Sequence, residues 1–462
     1  MMSDELKIAP ADGRRRYAVV GVGGRSGFFR DSIDQDYKDN AVIVGFCDNN
    51  LGRLKMAQER TLKKTGEQRP IYDISADPNA FDKMIAETKP DEVIVTTKDC
   101  THSDYIVRAM ELGCDVTTEK PMTTDEKKCQ AIIDMQKKTG RHCRVTFNYR
   151  YSPPRTQVKD LLMKGTIGEV LSVDFHWMLN THHGADYFRR WHSNKANSGG
   201  LMIHKATHHF DLVNWWLSDI PVSIMASGKR EFYVPETAQR MGLTGKHERC
   251  LTCPDADKCK FKLDITEGGL KRLYLDNEQY DGYFRDRCVF RSGIDIEDTM
   301  NVLVKYKNKT TLCYSLNAFN SWEGYTIVFN GTKGRLEHTM QESVYINGDG
   351  TVPGAIQTEG TFIKVYPLRS AAYQLDLWTG DGGHGGGDPV LQDDIFAPVK
   401  PEDPYKRAAD QRSGAYSILI GAAANISFKT GNTVVIDDLV KGIGTPEYPP
   451  MPTSAEPIVI AE

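Results

Sequence analysis

Strand and helix signals alternate over the first 150 residues of this chain. The run Tyr17-Ala18-Val19-Val20 is short, β-branched and apolar, and it leads into a glycine-rich segment at 21–27 that precedes a helical pattern at 28–33. Further apolar runs at 42–48, 92–96, 115–117 and 145–147 alternate with helical patterns at 51–64, 81–88, 102–112 and 125–138. This repetition predicts an α/β fold with a doubly wound parallel sheet of the Rossmann type.

The glycine-rich segment is typical of a dinucleotide site. Glycine allows backbone amides to approach a diphosphate closely, and the N-terminus of the following helix adds partial positive charge. Gly27 comes one position later than the pattern G-x-G-x-x-G requires, so the motif needs support from other segments.

Asp48 supplies that support, because it closes the second strand 21 positions after Gly27. A carboxylate there accepts hydrogen bonds from both hydroxyls of an adenosine ribose and repels a 2′-phosphate, which favours NAD over NADP. Arg25 and Arg53 are close enough in sequence to weaken this preference. The alternative is that Asp48 is only a helix N-cap.

Three segments at the predicted carboxyl ends of strands, 21–27, 96–102 and 119–121, should meet at one crevice. Lys120 would place an amine beside a nicotinamide, which indicates hydride and proton chemistry on a secondary alcohol, although Glu119-Lys120-Pro121 is also compatible with an ordinary strand-to-helix turn. The predicted cofactor-binding residues are Gly21, Gly23, Gly24, Arg25, Ser26, Asp48, Thr97, His102, Glu119 and Lys120.

Length and charge narrow the class of protein. A chain of 462 residues most simply forms two domains. Its net charge of -4 gives no positive electrostatic field that would attract nucleic acid or anionic lipid. The first sixteen residues lack the apolar stretch of a secretory signal, and no run is long enough to cross a bilayer. We therefore expect a cytoplasmic protein.

The second half has a different periodicity. Alternating patterns at 170–177, 299–306, 310–318, 325–329 and 335–338 predict an α+β domain with a large open, mostly antiparallel sheet. A helix expected over 200–217 carries His204 and His208 four positions apart, so they should share one face with Asp211. Six of the twelve histidines fall within 28 positions, at 182, 183, 192, 204, 208 and 209.

These histidines need separate interpretations. His208 is well suited to exchange protons with an alcohol, because an imidazole titrates near neutral pH. For His192 and His209 a place in the core or on the surface is the simpler interpretation.

The glycine segment, Asp48, the Glu119-Lys120-Pro121 tripeptide and the segment from Gly199 through His208 to Asp211 together resemble the Gfo/Idh/MocA family of glucose-fructose oxidoreductases and inositol dehydrogenases. The resemblance covers nearly the whole chain and includes an amphipathic helix expected at about 405–428, which in this family returns to pack beside the sheet.

The resemblance implies that Lys120 contacts both the nicotinamide ribose and the reacting hydroxyl, that His208 is the acid/base partner and that Asp211 supports the pocket. His204 stands where many relatives have aspartate. Either His204 takes over proton handling, as a third catalytic residue, or it binds a divalent metal with His208 and a third ligand from His182, His183 or a distant residue.

Several residues are expected to contact the substrate. Tyr149 and Arg150 follow the last strand of the first domain, and Gly382 to Asp388 is expected to be a loop over the pocket, with a surface turn as the alternative. The aromatic candidates for stacking on a sugar ring are Tyr149, Trp177, Tyr187 and Trp191. The predicted substrate residues are Tyr149, Arg150, His182, His183, Lys205, Asp211 and His384, with Asp388 as a further candidate.

Four cysteines lie in a polar stretch with little apolar periodicity. Cys250, Cys253 and Cys259 have the spacing C-x2-C-x5-C, and Cys288 follows after 28 intervening residues. Structural zinc, an iron-sulfur cluster and unligated thiols are the three interpretations, in that order of preference.

The expected domains are a Rossmann domain at 1–148, an α+β domain at 149–441 with a cysteine-rich insertion at about 236–292, and a Pro-rich tail at 442–462. The predicted activity is NAD-dependent hydride transfer to or from a secondary hydroxyl of a sugar, glycoside or cyclitol. The alternatives are an NAD-dependent glycosidase, which oxidises its substrate transiently, and a sugar or nucleotide sensor without turnover. An exposed sheet face favours a homodimer or homotetramer.

Overall fold

The computed structural model of the protein describes residues 12–244, 247–343, 360–400, 402–455 and 458. They form a six-stranded parallel sheet and a nine-stranded mixed sheet, each with its helices, which confirms the predicted α/β fold class. In the described part of the chain no helix is long and apolar enough to span a membrane.

The first sheet has the strand order β3-β2-β1-β4-β5-β6. Its strands are β1 (Arg15–Val20), β2 (Ala41–Asp48), β3 (Ile71–Asp73), β4 (Glu92–Val95), β5 (Asp115–Thr118) and β6 (Cys143–Val145). The helices between them are α1 (Ser26–Asp34), α2 (Leu51–Thr65), α3 (Ala80–Thr88), α4 (Asp99–Glu111) and α5 (Glu126–Thr139). Every residue of β2 is buried, as expected for a parallel strand covered on both faces.

Local sequence explains where the helices of this domain begin and end. The side chain of Asn50 accepts from the amide of Arg53 at the start of α2, and that of Asp125 accepts from Lys128 at the start of α5. Both helices end at a glycine in the left-handed conformation, Gly66 and Gly140.

The second sheet has the order β14-β13-β12-β11-β7-β10-β9-β8-β15. Its pairs are antiparallel except for β7 and β10, which are parallel. The strands are β7 (Val170–Asn180), β8 (Pro221–Lys229), β9 (Thr299–Tyr306), β10 (Thr311–Asn320), β11 (Glu323–Gly331), β12 (Gly334–Ser343), β13 (Phe362–Pro367), β14 (Tyr373–Gln374) and β15 (Val434–Val435). Buried and exposed residues alternate along β9, so one face of the sheet meets the core.

Eleven further α-helices accompany this sheet among the described residues. They are α6 (Pro153–Met163), α7 (Thr181–Arg189), α8 (Lys195–Ser198), α9 (Leu201–His204), α10 (Ala206–Leu217), α11 (Pro235–Arg240), α12 (Gly268–Leu273), α13 (Glu278–Asp281), α14 (Gly383–Phe396), α15 (Gln411–Thr430) and α16 (Ile436–Leu439). The helix expected over 200–217 is therefore two helices. They are separated at Lys205, whose carbonyl accepts from the amide of His208, three residues on.

Helix α15 fixes the position of the two histidine-bearing helices. A Cβ at Gly421 would lie 2.4 Å from the carbonyl oxygen of Met202, so the glycine permits close packing of α15 on α9. The hydroxyls of Thr207 and Ser417 are 2.9 Å apart and join α10 to α15 in the core. Helix α15 also packs on α5 and β6. It therefore connects both sheets to the two helices that carry His204 and His208.

Candidate active site

The glycine turn after β1 borders a cleft of about 360 Å³. Gly21 has a φ of +85°, and a Cβ there would lie 2.7 Å from backbone atoms of Thr96 and Thr97, so this position requires glycine. A Cβ at Gly23 would meet nothing within 4 Å, which leaves room for a ligand at that backbone. Gly21, Gly23, Gly24, Arg25 and Thr97 all line the cleft, as predicted for a diphosphate site.

Asp48 also lines this cleft. Its carboxylate accepts from the amide of Val22 at 2.7 Å and from the amide of Asn50 at 2.8 Å, so the side chain is fixed at the end of β2. Arg53 lies 3.8 Å from Asp48 and also forms an ion pair with Asp281. Because Asp281 engages Arg53, that guanidinium is partly neutralised and Asp48 remains a suitable acceptor for ribose hydroxyls.

The cysteine-rich insertion forms one wall of the cleft, which the sequence did not indicate. Its residues Tyr274, Asp281 and Tyr283 line the cavity. The side chain of Asn50 donates to the carbonyl of Asn277 at 3.0 Å, and a Cβ at Gly52 would lie 1.8 Å from the Asn277 side chain. The insertion therefore packs tightly against the start of α2.

A second cavity of about 300 Å³ continues from the cleft. Five residues line both spaces: Arg25, Thr96, Thr97, Arg190 and Trp191. Because the two cavities share this boundary, a molecule bound in the cleft would contact a molecule bound in the second cavity. We call the second cavity the histidine pocket; its walls include His183, His192, His204, His208 and His384.

Lys120 lies in the wall of the histidine pocket, beyond the end of β5. Its Nζ donates to the carbonyl oxygen of His204 at 3.3 Å. The pKa of Lys120 is lowered to about 8, mainly because burial disfavours the ammonium form. The carboxylates of Glu119 and Asp99 oppose this shift. Roughly a tenth of this amine is therefore neutral at pH 7 and about half at pH 8, and the neutral form can accept a proton.

Asp99 is a site residue that the sequence analysis missed. It is the first residue of α4, and its Oδ2 lies 2.5 Å from Nδ1 of His204. Burial raises the pKa of Asp99 and lowers that of His204, so the charged form of each group is disfavoured. Asp99 follows the carboxyl end of β4 and lies inside the predicted segment 96–102. This position could have identified it as a candidate site residue.

His208 is held by stacking. Its ring lies on that of Tyr149 with the centroids 4.2 Å apart and the planes at 11°. Burial lowers the pKa of His208 well below its usual value, and the ammonium of Lys120 adds to this effect, so the ring is neutral. Among the described residues Nδ1 of His208 has no hydrogen-bond partner, although the atom is buried.

The structure places other predicted substrate residues at the pocket with defined partners. Lys205 donates to the hydroxyl of Tyr149 at 3.3 Å and lies 3.9 Å from Glu323. His183 contacts the same glutamate at 2.7 Å and the hydroxyl of Tyr187 at 3.0 Å. These contacts join α7 and the junction between α9 and α10 to the start of β11.

The glycine-rich segment at 382–388 includes the first residues of α14, where His384, Gly385 and Gly386 have left-handed backbone conformations. His384 has a φ of +54° and lines the pocket, while its Nδ1 lies 2.9 Å from Asp388. Asp388 in turn accepts from Asn148, which also lines the pocket. The segment thus connects the pocket wall to the residues that follow β6.

Several predicted site residues have structural partners instead of facing a cavity. Arg150 and Asp211 form a bidentate ion pair at 2.8 and 2.6 Å, and both side chains are 1% exposed. They pair with each other because neither charge can be buried alone. His182 is exposed and does not line the pocket.

Three predicted cofactor residues support the loops of the site. Ser26 is buried, and its hydroxyl donates to the carbonyl of Gly23 at 2.6 Å, which closes the glycine turn. The ring of His102 lies between the carbonyls of Pro121 and Thr97, at 2.8 and 3.2 Å, and thereby joins the loops after β4 and β5. Glu119 accepts from Arg25 at 2.6 Å and so connects the strand end to the glycine turn.

His192 and His209 also have distinct places. His192 is buried, stacks on Trp191 with centroids 3.6 Å apart and lines the pocket. His209 is fully buried, stacks on Trp177 and contacts the hydroxyl of Tyr314 at 2.7 Å, in agreement with a core role.

The described residues contain one group of three potential metal ligands within 4.8 Å of one another, His247, Cys253 and Asp255, and it lies outside the histidine pocket. His204 uses Nδ1 on Asp99, and His183 uses both ring nitrogens on Glu323 and Tyr187. The structure therefore does not assemble the histidine metal site that was the alternative for His204 and His208. The four cysteines at 250, 253, 259 and 288 line a separate small cavity.

Comparison with known proteins covers both domains. A family model described as "Oxidoreductase family, NAD-binding Rossmann fold" matches residues 15–147, and one described as "Oxidoreductase family, C-terminal alpha/beta domain" matches residues 159–436. A Bacillus subtilis (strain 168) protein, YteT, whose name calls it an oxidoreductase, is 38% identical over 416 residues, covering 88% of this chain and 94% of YteT.

More distant relatives match over shorter regions. Glycosyl hydrolase family 109 protein 1 of Akkermansia muciniphila is 28% identical over 42% of this chain and 41% of its own length. The D-glucoside 3-dehydrogenase of Escherichia coli (strain K12) is 25% identical over 36% of this chain and 44% of its own length.

One solved structure, the WlbA dehydrogenase from Bordetella pertussis in complex with NADH and UDP-GlcNAcA, has a TM-score of 0.58 and 17% sequence identity. The match covers 91% of this chain and 98% of that one, so the two share a fold.

Proposed function

Because this chain belongs to the Gfo/Idh/MocA family of NAD-binding oxidoreductases, we propose that it transfers hydride between NAD and a secondary hydroxyl of a sugar, glycoside or cyclitol. The observation that carries the proposal is the position of Lys120. Its partly buried amine, with a pKa lowered to about 8, lies in a pocket continuous with the dinucleotide cleft.

The cleft residues fit a dinucleotide. The open space at Gly23 and the close backbone packing at Gly21 provide a surface for a diphosphate, and Asp48 provides acceptors for a ribose. The Asp48 carboxylate and the pairing of Arg53 with Asp281 support NAD as the cofactor in preference to NADP. When bound, the nicotinamide supplies the hydride acceptor or donor.

Lys120 is proposed to hold the reacting hydroxyl and to accept its proton. A neutral amine is required for this step in the oxidation direction, and burial provides it at a pH close to 8. In the reverse direction the ammonium form donates a proton to the carbonyl oxygen.

His204 is proposed as the second proton carrier, positioned by Asp99. The 2.5 Å contact fixes the orientation of the imidazole ring and leaves Nε2 to exchange a proton with substrate or Lys120. His208, neutral and stacked on Tyr149, is proposed to bind a neighbouring substrate hydroxyl through its ring nitrogen.

The lining of the pocket is suited to a polyhydroxylated ring. Polar side chains of His183, Lys205 and Asn148 alternate with the aromatic rings of Tyr187 and Trp191. Such rings pack against the apolar face of a sugar, while the polar groups bind its hydroxyls. The family relatives named for glucoside and inositol oxidation are consistent with this substrate class.

Product analysis tests the proposal. The full-length protein is incubated with NAD⁺ and a panel of sugars, glycosides and cyclitols, and products are measured by mass spectrometry with NADH by absorbance. We expect a product about two mass units lighter than its substrate and an equal amount of NADH. Binding of NAD⁺ and sugars without any turnover of this panel in either direction would contradict the proposal and favour the sensor alternative.

A second candidate function is glycoside cleavage through transient oxidation, which the family 109 glycosyl hydrolase relative supports. In such a reaction the cofactor is regenerated within each turnover, so free NADH does not accumulate. Release of an aglycone from a glycoside without net NADH would establish this function, whereas NADH equal to ketone formed would exclude it.

We also propose that the chain forms a homodimer or homotetramer through the open face of the second sheet. Met225, Leu303 and Cys313 are exposed and adjacent in register across β8, β9 and β10, and Leu171 is exposed on β7. An exposed apolar sheet face of this kind favours association with a second copy. Light scattering coupled to size exclusion would show a multimer, and a Leu303→Glu variant should shift it towards monomer.

A further inference from the structure

The cysteine-rich insertion contains too little buried apolar surface to hold its own fold. Between residues 247 and 292 the fully buried apolar side chains are Ile265, Val289 and Phe290. Its α-helices, α12 and α13, have six and four residues, and no named strand falls in this range. A segment of this composition needs a cross-link or a metal to be ordered.

Four cysteines surround one small space in this insertion. Cys250, Cys253, Cys259 and Cys288 line a cavity of about 20 Å³ whose remaining wall includes Phe261 and Phe290. None of the four forms a disulfide. The fourth cysteine comes from the end of the insertion, so a shared ligand would join both ends of the segment.

Two hydrogen-bond donors are directed at the sulfur of Cys250. The amide of Leu263 donates to Sγ of Cys250 at 3.5 Å, and the guanidinium of Arg189 donates to the same atom at 3.3 Å. Donors of this kind stabilise thiolates bound to a metal.

The spacing of the sulfurs discriminates between metals. Four sulfurs each 2.3 Å from a single tetrahedral zinc would lie roughly 3.8 Å apart. No three of these four described cysteines have sulfurs within 4.8 Å of one another, and the sulfurs surround a void. In an iron-sulfur cluster each thiolate binds a different iron, so the four sulfurs must lie farther apart than around a single zinc ion.

Basic side chains complete the site. Arg189, Arg249 and Lys262 all line the cavity, and a cluster held by four thiolates carries net negative charge. The apolar rings of Phe261 and Phe290 shield the space from water, which favours the retention of a cluster.

We propose that Cys250, Cys253, Cys259 and Cys288 bind a [4Fe–4S] cluster that orders the insertion and thereby the wall of the dinucleotide cleft. Each thiol loses its proton when it binds an iron. The insertion contributes Tyr274, Asp281 and Tyr283 to that wall, so an ordered cluster keeps the cover of the cofactor in place. The cluster has a structural role and its presence is measured without turnover, independently of the dehydrogenase reaction.

Metal and sulfide analysis of the full-length protein tests this proposal. The protein is produced with added iron and purified without oxygen, and iron, acid-labile sulfide and zinc are measured per chain. We expect about four irons and about four sulfides. One zinc per chain without sulfide, or a protein without metal, would overturn the proposal.

Variants locate the cluster. Cys259→Ser and Cys288→Ser should lose most of the iron and sulfide and weaken NAD⁺ binding by about tenfold, whereas Cys313→Ser, at an exposed position on β10, should retain both. His247→Gln should also retain the cluster. If His247→Gln lost the metal while Cys259→Ser kept all of it, the metal ligands would instead be His247, Cys253 and Asp255. That result would refute the proposed ligand set.

Discussion

Oδ2 of Asp99 lies 2.5 Å from Nδ1 of His204, although the two residues are 105 positions apart in the chain. Asp99 begins α4 after β4 of the first domain, and His204 ends α9 of the second. The contact therefore crosses the boundary between the two sheets. It fixes an imidazole ring in the wall that also contains Lys120.

An Asp99→Asn variant should lower kcat by about 10- to 100-fold, because the amide keeps the shape but removes the carboxyl partner that positions the His204 ring. Steady-state kinetics with NAD⁺ and an active substrate measure the change. Asp104→Asn is the matched control, since Asp104 is an exposed residue of the same helix. NAD⁺ affinity should be unchanged in both, and equal kcat values would remove Asp99 from the mechanism.

Replacing Lys120 with alanine should reduce kcat/KM by at least about 100-fold, in line with the loss of a general base. Lys128→Ala serves as a control, because Lys128 is an intermediate-exposure residue of α5 whose Nζ contacts the carbonyl of Cys100 outside the pocket. Near-normal turnover by the Lys120 variant would contradict the assignment.

The rate of alcohol oxidation should rise with pH and level off above about pH 8. The base is the neutral amine of Lys120, which is populated above its pKa, and burial lowers that pKa to about 8. Reduction of the ketone should show the opposite trend, since it needs the ammonium form. The measurement is kcat/KM against pH for both reaction directions. A rise in the oxidation rate only near pH 10 would show that the pKa of the Lys120 amine is not lowered.

An Asp48→Ser variant should weaken NAD⁺ binding by about tenfold and improve the relative use of NADP⁺, because a charged acceptor is lost and the repulsion of a 2′-phosphate is removed. Isothermal titration with both cofactors checks this result. Asp73→Asn, at the end of neighbouring β3, is the control. An unchanged ratio of the two affinities would show that Asp48 does not determine the cofactor.

Gly21→Ala and Gly23→Ala should have different effects. At Gly21 the new Cβ meets the backbone of Thr96 and Thr97 at a positive φ, so we expect a loss of about 1–3 kcal/mol in stability. At Gly23 the Cβ meets no protein atom within 4 Å, so thermal unfolding should be unchanged while NAD⁺ binding weakens. Thermal melts with and without NAD⁺ separate the two effects, and a Gly23 variant with normal affinity would contradict the placement of the diphosphate.

Much of the cofactor cleft followed from the sequence. The glycine turn, Asp48 and Lys120 each stand at the end of an apolar run, and the ends of parallel strands must meet at one edge of a sheet. The sequence pattern could not show how those residues are covered, because Tyr274 and Asp281 come from an insertion without periodicity.

Most strands of the two sheets could be predicted from the chain alone, because strand and helix periodicities are local and are enforced by burial of alternate or every third to fourth residue. Which polar side chains meet depends on how distant segments pack in three dimensions. Arg150 and Asp211 neutralise each other, Asp99 reaches His204, and four cysteines face a common space. These pairings join segments far apart in the chain, and no local periodicity specifies the relative placement of two sheets or of an insertion packed against them.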